Sequence, residues 1–149
     1  MLMVEADLQA AIGQLDDLDD RVSEALRPAT LTATRLIFDE IQFRAPQSER
    51  GHWFYGTNDK YWFEPGSLKR SIYIKHLPEI SEDGKARYYK IGWREKSSEL
   101  GYAPYAHMVE YGTARAPAHP FVRPSYDAKH KQAEQLIIDM IKEAARDGD

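Results

Sequence analysis

The chain has no cysteine among its 149 residues. That excludes disulfides and thiolate zinc sites, and is compatible with a reducing compartment. No apolar run approaches the roughly 20 residues that a membrane helix needs, and the N-terminus lacks the basic-then-apolar pattern of a secretory leader. Basic charge is in short supply: 20 lysines and arginines stand against 24 acids, a net charge of −4. Nucleic-acid-binding domains more often gather positive charge in a supported patch, so sequence-independent DNA binding is disfavoured. Also missing are a glycine-rich phosphate loop, an HExxH pair, and a serine or cysteine nucleophile motif. Neither an enzyme nor a cofactor has positive support.

What is present suits one soluble domain, residues 1–149, with a single core: 42% of residues are hydrophobic and 30% charged. Residues 1–43 hold nine acids and three bases, whereas residues 44–126 hold nine and thirteen. Val4, Leu8, Ile12, Leu15, Leu18 or Asp19, Val22 and Leu26 step by three and four, which predicts an amphipathic helix over residues 4–26. Asp16, Asp17, Asp19 and Asp20 form an acidic cluster on its outer side: a solvated face, a contact for a charged partner or a channel-facing surface. Pro28 is expected to kink this helix or to start a second one. The apolar pattern continues to about Phe43, and Ala45-Pro46 should end it.

Two aromatic triplets follow, Trp53-Phe54-Tyr55 and Tyr61-Trp62-Phe63, around Gly56-Thr57-Asn58-Asp59-Lys60. They predict a β-hairpin with a five-residue turn. Three consecutive aromatics must point to both faces of a strand. The hairpin is therefore either folded flat over its own domain or an arm whose outer face is buried on a neighbour. A base-stacking platform for single strands would need more bases than the nearby Arg50 and Lys60. Residues 71–95 form the clearest β unit: Ile72 and Ile74 alternate with polar residues, as do Tyr89, Ile91 and Trp93, around the turn signal Asp83-Gly84. The last helix is expected from about Pro124 or Asp127 to about Arg146, on Ala133, Leu136, Ile137, Met140, Ile141 and Ala144, before a frayed tail 147–149.

Between these elements lies the stretch Tyr102 to Pro124. Pro104 suits the first turn of a short helix whose apolar face holds Tyr102, Tyr105 and Val109, with Met108 beside them. Gly112 should end that helix at a positive φ, in a left-handed conformation. Pro117 and Pro120 predict a stiff extended crossing, with Phe121 as its buried apolar anchor. His107, Glu110 and His119 could together ligate zinc as a small metal-dependent hydrolase would, though no established ligand spacing supports it. The plainer reading makes His107 a boundary residue and gives Glu110 a structural partner.

The ordered set of these motifs resembles the neck family of tailed bacteriophages and prophages, the head–tail connector and tail-completion proteins. The resemblance rests on the Tyr105-Ala106 step, Val109-Glu110-Tyr111-Gly112-Thr113, and Pro120-Phe121-Val122-Arg123-Pro124. Upstream it rests on Ala45-Pro46 and Gly66-Ser67-Leu68-Lys69-Arg70-Ser71-Ile72. It spans most of the chain, with residues 47–65 as an insertion where the family usually has a few residues. It implies a structural protein of the virion, made in the host cytoplasm, that joins a homo-oligomeric ring touching head-completion or portal proteins and tail proteins. DNA would pass through that ring without sequence-specific contact. For Glu110 it implies a structural or interface carboxylate that accepts backbone N–H bonds from the loop after Gly112. The expected fold is α+β, with N-terminal and C-terminal helices on one face of a small, mainly antiparallel sheet and an aromatic-rich hairpin insertion. Candidate ring contacts are Trp53, Phe54, Tyr55, Tyr61, Trp62 and Phe63 on the arm, and Thr113, Arg115 and His119 on the crossing. Ring closure needs two different patches that meet head to tail.

Overall fold

A computed structural model describes residues 2–82 and 87–147, and the side chains of these beyond position 11. The Asp83-Gly84 turn, the Val4 and Leu8 side chains, and Gly148 and Asp149 lie outside the described residues. The fold is α+β. One long helix, α1 (Leu2–Arg44), is followed by β1 (His52–Tyr55), β2 (Lys60–Phe63), α2 (Ser67–Ser71) and β3 (Ile72–His76). After a single 3₁₀ turn come β4 (Tyr89–Trp93), α3 (Ala106–Tyr111) and α4 (Val122–Arg146).

Helix α1 runs through Pro28 without interruption. A proline inside a helix removes one backbone donor, freeing the carbonyl four residues earlier. Here Glu24 and Pro28 are both exposed, so the freed group lies on the solvent side. Ala29 and Ala33 on the covered side are buried, and together with buried Ala133 they let α1 and α4 approach closely. Packing against α4 thus carries the helix past the proline. The two helices run antiparallel, with Lys129 Nζ 4.0 Å from Glu40 Oε2 near the start of α4 and the end of α1. Helix α1 has 43 residues and α4 has 25.

The expected sheet is two separate antiparallel pairs, β1–β2 and β3–β4, rather than one. In β3–β4 the partners Ile72↔Trp93, Ile74↔Ile91 and His76↔Tyr89 face one way, and Lys75↔Lys90 faces the other. The alternation therefore delivers one apolar face to the helices. The core gathers Ile41, Ala45, Leu68, Ile72, Ala103, Ala106 and Phe121, with Ile37, Phe38, Ile91, Trp93, Tyr105, Val109 and Val122 packed against it.

Candidate interaction surface

The central stretch is built around one carboxylate. Phe121 is fully buried and stands at the N-terminal boundary of α4, where its side chain offers no acceptor for the helix's free N–H groups. Glu110, from α3, supplies what Phe121 lacks. Its Oε2 accepts the Phe121 N–H at 2.7 Å and the Val122 N–H at 3.0 Å, while Oε1 accepts the Arg123 N–H at 3.0 Å. The next residue, Pro124, has no N–H to satisfy. Every donor of the first turn is thereby accounted for, and a negative group sits at the positive end of the helix dipole. The donors lie at the end of the crossing and the start of α4, just beyond the loop where partners for Glu110 are expected.

Helix α3 begins at Ala106 rather than at Pro104, because Ala103–Ala106 forms a turn closed by the Ala106 N–H on Ala103 O at 3.2 Å. Tyr105 and Val109 face the core as expected, but Met108 is exposed. Gly112 has the positive φ expected, 75°, yet its ψ of 174° is extended rather than left-handed helical. That region is open essentially to glycine alone. A Cβ there would stand 2.8 Å from the Ala118 backbone nitrogen. The crossing is not extended throughout. Thr113 N–H donates to Ala116 O at 2.9 Å, and the Thr113 hydroxyl accepts the Arg115 and Ala116 N–H groups, which closes a tight bend before the prolines. Arg115 is exposed within it, His119 and Pro120 are exposed beyond it, and the His119 N–H is tied to Val109 O at 2.8 Å.

The metal alternative is not supported by this geometry. The Glu110 carboxylate is covered and engaged by three N–H groups, His107 is exposed, and no cluster of three or more potential ligands occurs among the described residues.

The hairpin divides its aromatics by face. Its turn has four residues, because Lys60 pairs with Tyr55 inside the ladder and the Gly56 N–H closes onto Asp59 O at 2.8 Å. His52, Phe54, Tyr61 and Phe63 share the inner side. The Phe63 ring lies 5.0 Å from Tyr105 and 5.1 Å from Tyr102, and Phe54 lies 5.8 Å from Tyr105. Burial among these rings pushes the Tyr105 phenol above its ordinary pKa, against the pull of the Arg70 guanidinium. Phe63 and Phe54, counted among the interface candidates, are thus covered by the chain itself. Tyr61 sits at the edge, its hydroxyl on Asp59 at 3.2 Å.

The outer side carries Trp53, Tyr55, Lys60 and Trp62. Trp53 and Trp62 pack edge to face at 5.2 Å, and the Lys60 ammonium lies 4.2 Å from the Trp53 ring centre and 5.3 Å from that of Tyr55. The Trp62 indole N–H donates to Glu64 at 2.6 Å. Gly51 leaves room for that indole, since a Cβ there would fall 2.2 Å from the ring. These rings are held in place, yet Trp53, Tyr55 and Trp62 remain 48%, 69% and 47% exposed. The hairpin is therefore folded over its own domain on one face and free on the other. The role of Glu110 as a helix cap was only half visible in the sequence, where a buried acid eleven residues before Phe121 gives no direct sign of its target. Comparison of the chain with protein-family models, with curated proteins and with solved structures gives no match.

Proposed function

We propose that the chain is a structural subunit of a tailed-phage or prophage head–tail junction, acting by association rather than catalysis. The observation that carries this reading is the outer hairpin face: an ordered aromatic surface that nothing in the described residues covers. Exposed aromatic patches of this kind mark protein contacts far more often than they mark plain solvent-facing surface. The ordered motifs of the central stretch add the family to the mechanism. They describe a helix, a glycine stop and a proline-rich crossing fixed by Glu110. This unit builds a rigid scaffold whose loop, with Arg115 and His119, is presented outward.

In this reading the copies meet head to tail in a ring, contact head-completion or portal proteins on one side and tail proteins on the other, and let DNA pass without sequence readout. The test is genetic. Removing the chain from the replicon that encodes it should leave filled heads and free tails that fail to join in the induced lysate, as seen by electron microscopy. Supplying the chain in trans should restore whole virions. Normal virions without the chain would refute the reading.

A further inference from the structure

Helix α1 outruns its partner. The chain leaves α1 at the end that meets the start of α4, so the 18 residues by which 43 exceeds 25 fall largely at the N-terminal end of α1. At 1.5 Å per residue that overhang is about 27 Å long. Ile12 and Leu15 lie on it, 42% and 64% exposed. Asp16 and Asp19 complete the same stripe at helical spacing, and Asp17 and Asp20 flank it; all four acids are exposed. The overhang thus presents two aliphatic side chains beside a row of carboxylates.

The outer hairpin face is its chemical complement. Trp53, Tyr55 and Trp62 offer flat apolar surface, and the Lys60 ammonium is held among them. The Trp53 indole N–H and the Tyr55 hydroxyl add donors to match acceptor-only carboxylates. The acids nearest this face are already engaged, Asp59 by the Tyr61 hydroxyl and Glu64 by the Trp62 indole. Each patch also discourages its own kind: two overhangs would bring four acids against four, and two hairpins would bring Lys60 against Lys60.

We propose that the outer hairpin face of one copy docks on the α1 overhang of a second copy. This proposal rests on the ring-subunit reading and names the two surfaces that would meet. The contact joins unlike patches, so it propagates head to tail and closes a ring or extends a filament.

Sedimentation velocity over a concentration series tests it with three full-length proteins. One is unaltered, one carries Trp53→Ser and Lys60→Ser, and one carries Leu15→Ser and Asp19→Ser. All altered side chains are exposed, so both variants should stay folded, with thermal midpoints within a few degrees of the unaltered chain. Each variant alone should associate at least tenfold more weakly than the unaltered chain. An equimolar mixture of the two should form dimers and stop there, because each retains the one patch its partner needs. A mixture that stays monomeric while the unaltered chain assembles overturns the proposal, as do variants that assemble normally. An unaltered chain that remains monomeric to its solubility limit also overturns it, while the lysate phenotype still decides the neck reading. Conversely, dimers in the mixture alongside normal virions without the chain would keep this contact and sink the neck reading.

Discussion

The central stretch from Tyr105 to Arg123 and the hairpin from His52 to Phe63 are both rich in aromatic residues and turn-forming residues, yet their chemistry ends differently. In the first, the residues that fix the path of the chain are answered inside it: Glu110 meets three N–H groups, Phe121 is buried, and Gly112 fits against Ala118. In the second, only the inner face is answered, by Tyr102 and Tyr105, and the outer face is left with organised but uncovered rings. A two-stranded sheet has two faces and a small domain covers one of them. The β3–β4 pair resolves this by placing Lys75 and Lys90 outside, whereas β1–β2 places Trp53, Tyr55 and Trp62 there. Covered special residues build the scaffold. The uncovered rings of the hairpin are the surface that the proposed association would use.

That comparison breaks if residues on the two sides of the hairpin behave alike. The largest stability effects should come from the covered rings. Phe121→Ala should cost about 3–5 kcal/mol, as should Phe63→Ala where the site cannot collapse, read as a lowered midpoint in denaturant. An unchanged midpoint for Phe63→Ala would mean that the hairpin is not anchored by its inner face. Next comes Glu110→Gln, which replaces a carboxylate that accepts three N–H groups with an amide that has one acceptor oxygen. Leaving a buried donor facing an NH₂ group should cost about 2–3 kcal/mol. Amide exchange at Val122 and Arg123 should speed up with it. If exchange there is unaltered, Glu110 is not the cap. Smaller again is Gly112→Val, with strain on the order of 1–3 kcal/mol from the positive φ and the close Ala118 nitrogen. A variant as stable as the parent would show that the crossing can be rebuilt.

Much of the scaffold was legible from periodicity. The α4 stripe, the alternation in β3 and β4, the burial of Phe121 and the positive φ of Gly112 all follow from local rules, because each concerns residues close in sequence. The failures share a cause. Proline at position 28 argues locally for a kink or a second helix, and no second helix starts there, because burial of Ala29 and Ala33 against α4 outweighs the one lost hydrogen bond. The crossing looks extended from its prolines, yet the Thr113 hydroxyl bends its first half. The short α2, with Leu68 and Ser71 buried, has too few residues to show a period at all. On the hairpin the alternation of faces was readable, but which face the domain would cover was not. That depends on Tyr102 and Tyr105, some forty residues downstream.

The smallest stability effect, and the one that sharpens the comparison most, is expected on the outer hairpin face. Tyr55 is the most exposed of its rings and Trp53 is half exposed, so Tyr55→Ser should shift stability by no more than about 0.5 kcal/mol and Trp53→Ser by about 1 kcal/mol. Removing Gly51–Phe63 altogether would be a poorer probe, because it also takes Phe63 out of the core. The point substitutions leave the inner face intact and alter only what a partner would touch. At an interface the same rings should matter far more, since aromatic anchors commonly cost 2 kcal/mol or more when truncated, roughly a thirtyfold loss of affinity. The measurement is therefore a pair: a melting curve and a sedimentation series on the same preparation of Trp53→Ser. A midpoint within a few degrees of the parent, together with a self-association constant weakened at least tenfold, separates contact from core. Equal losses in both would mean that the outer rings hold up the hairpin itself, and the distinction between the two faces would fall.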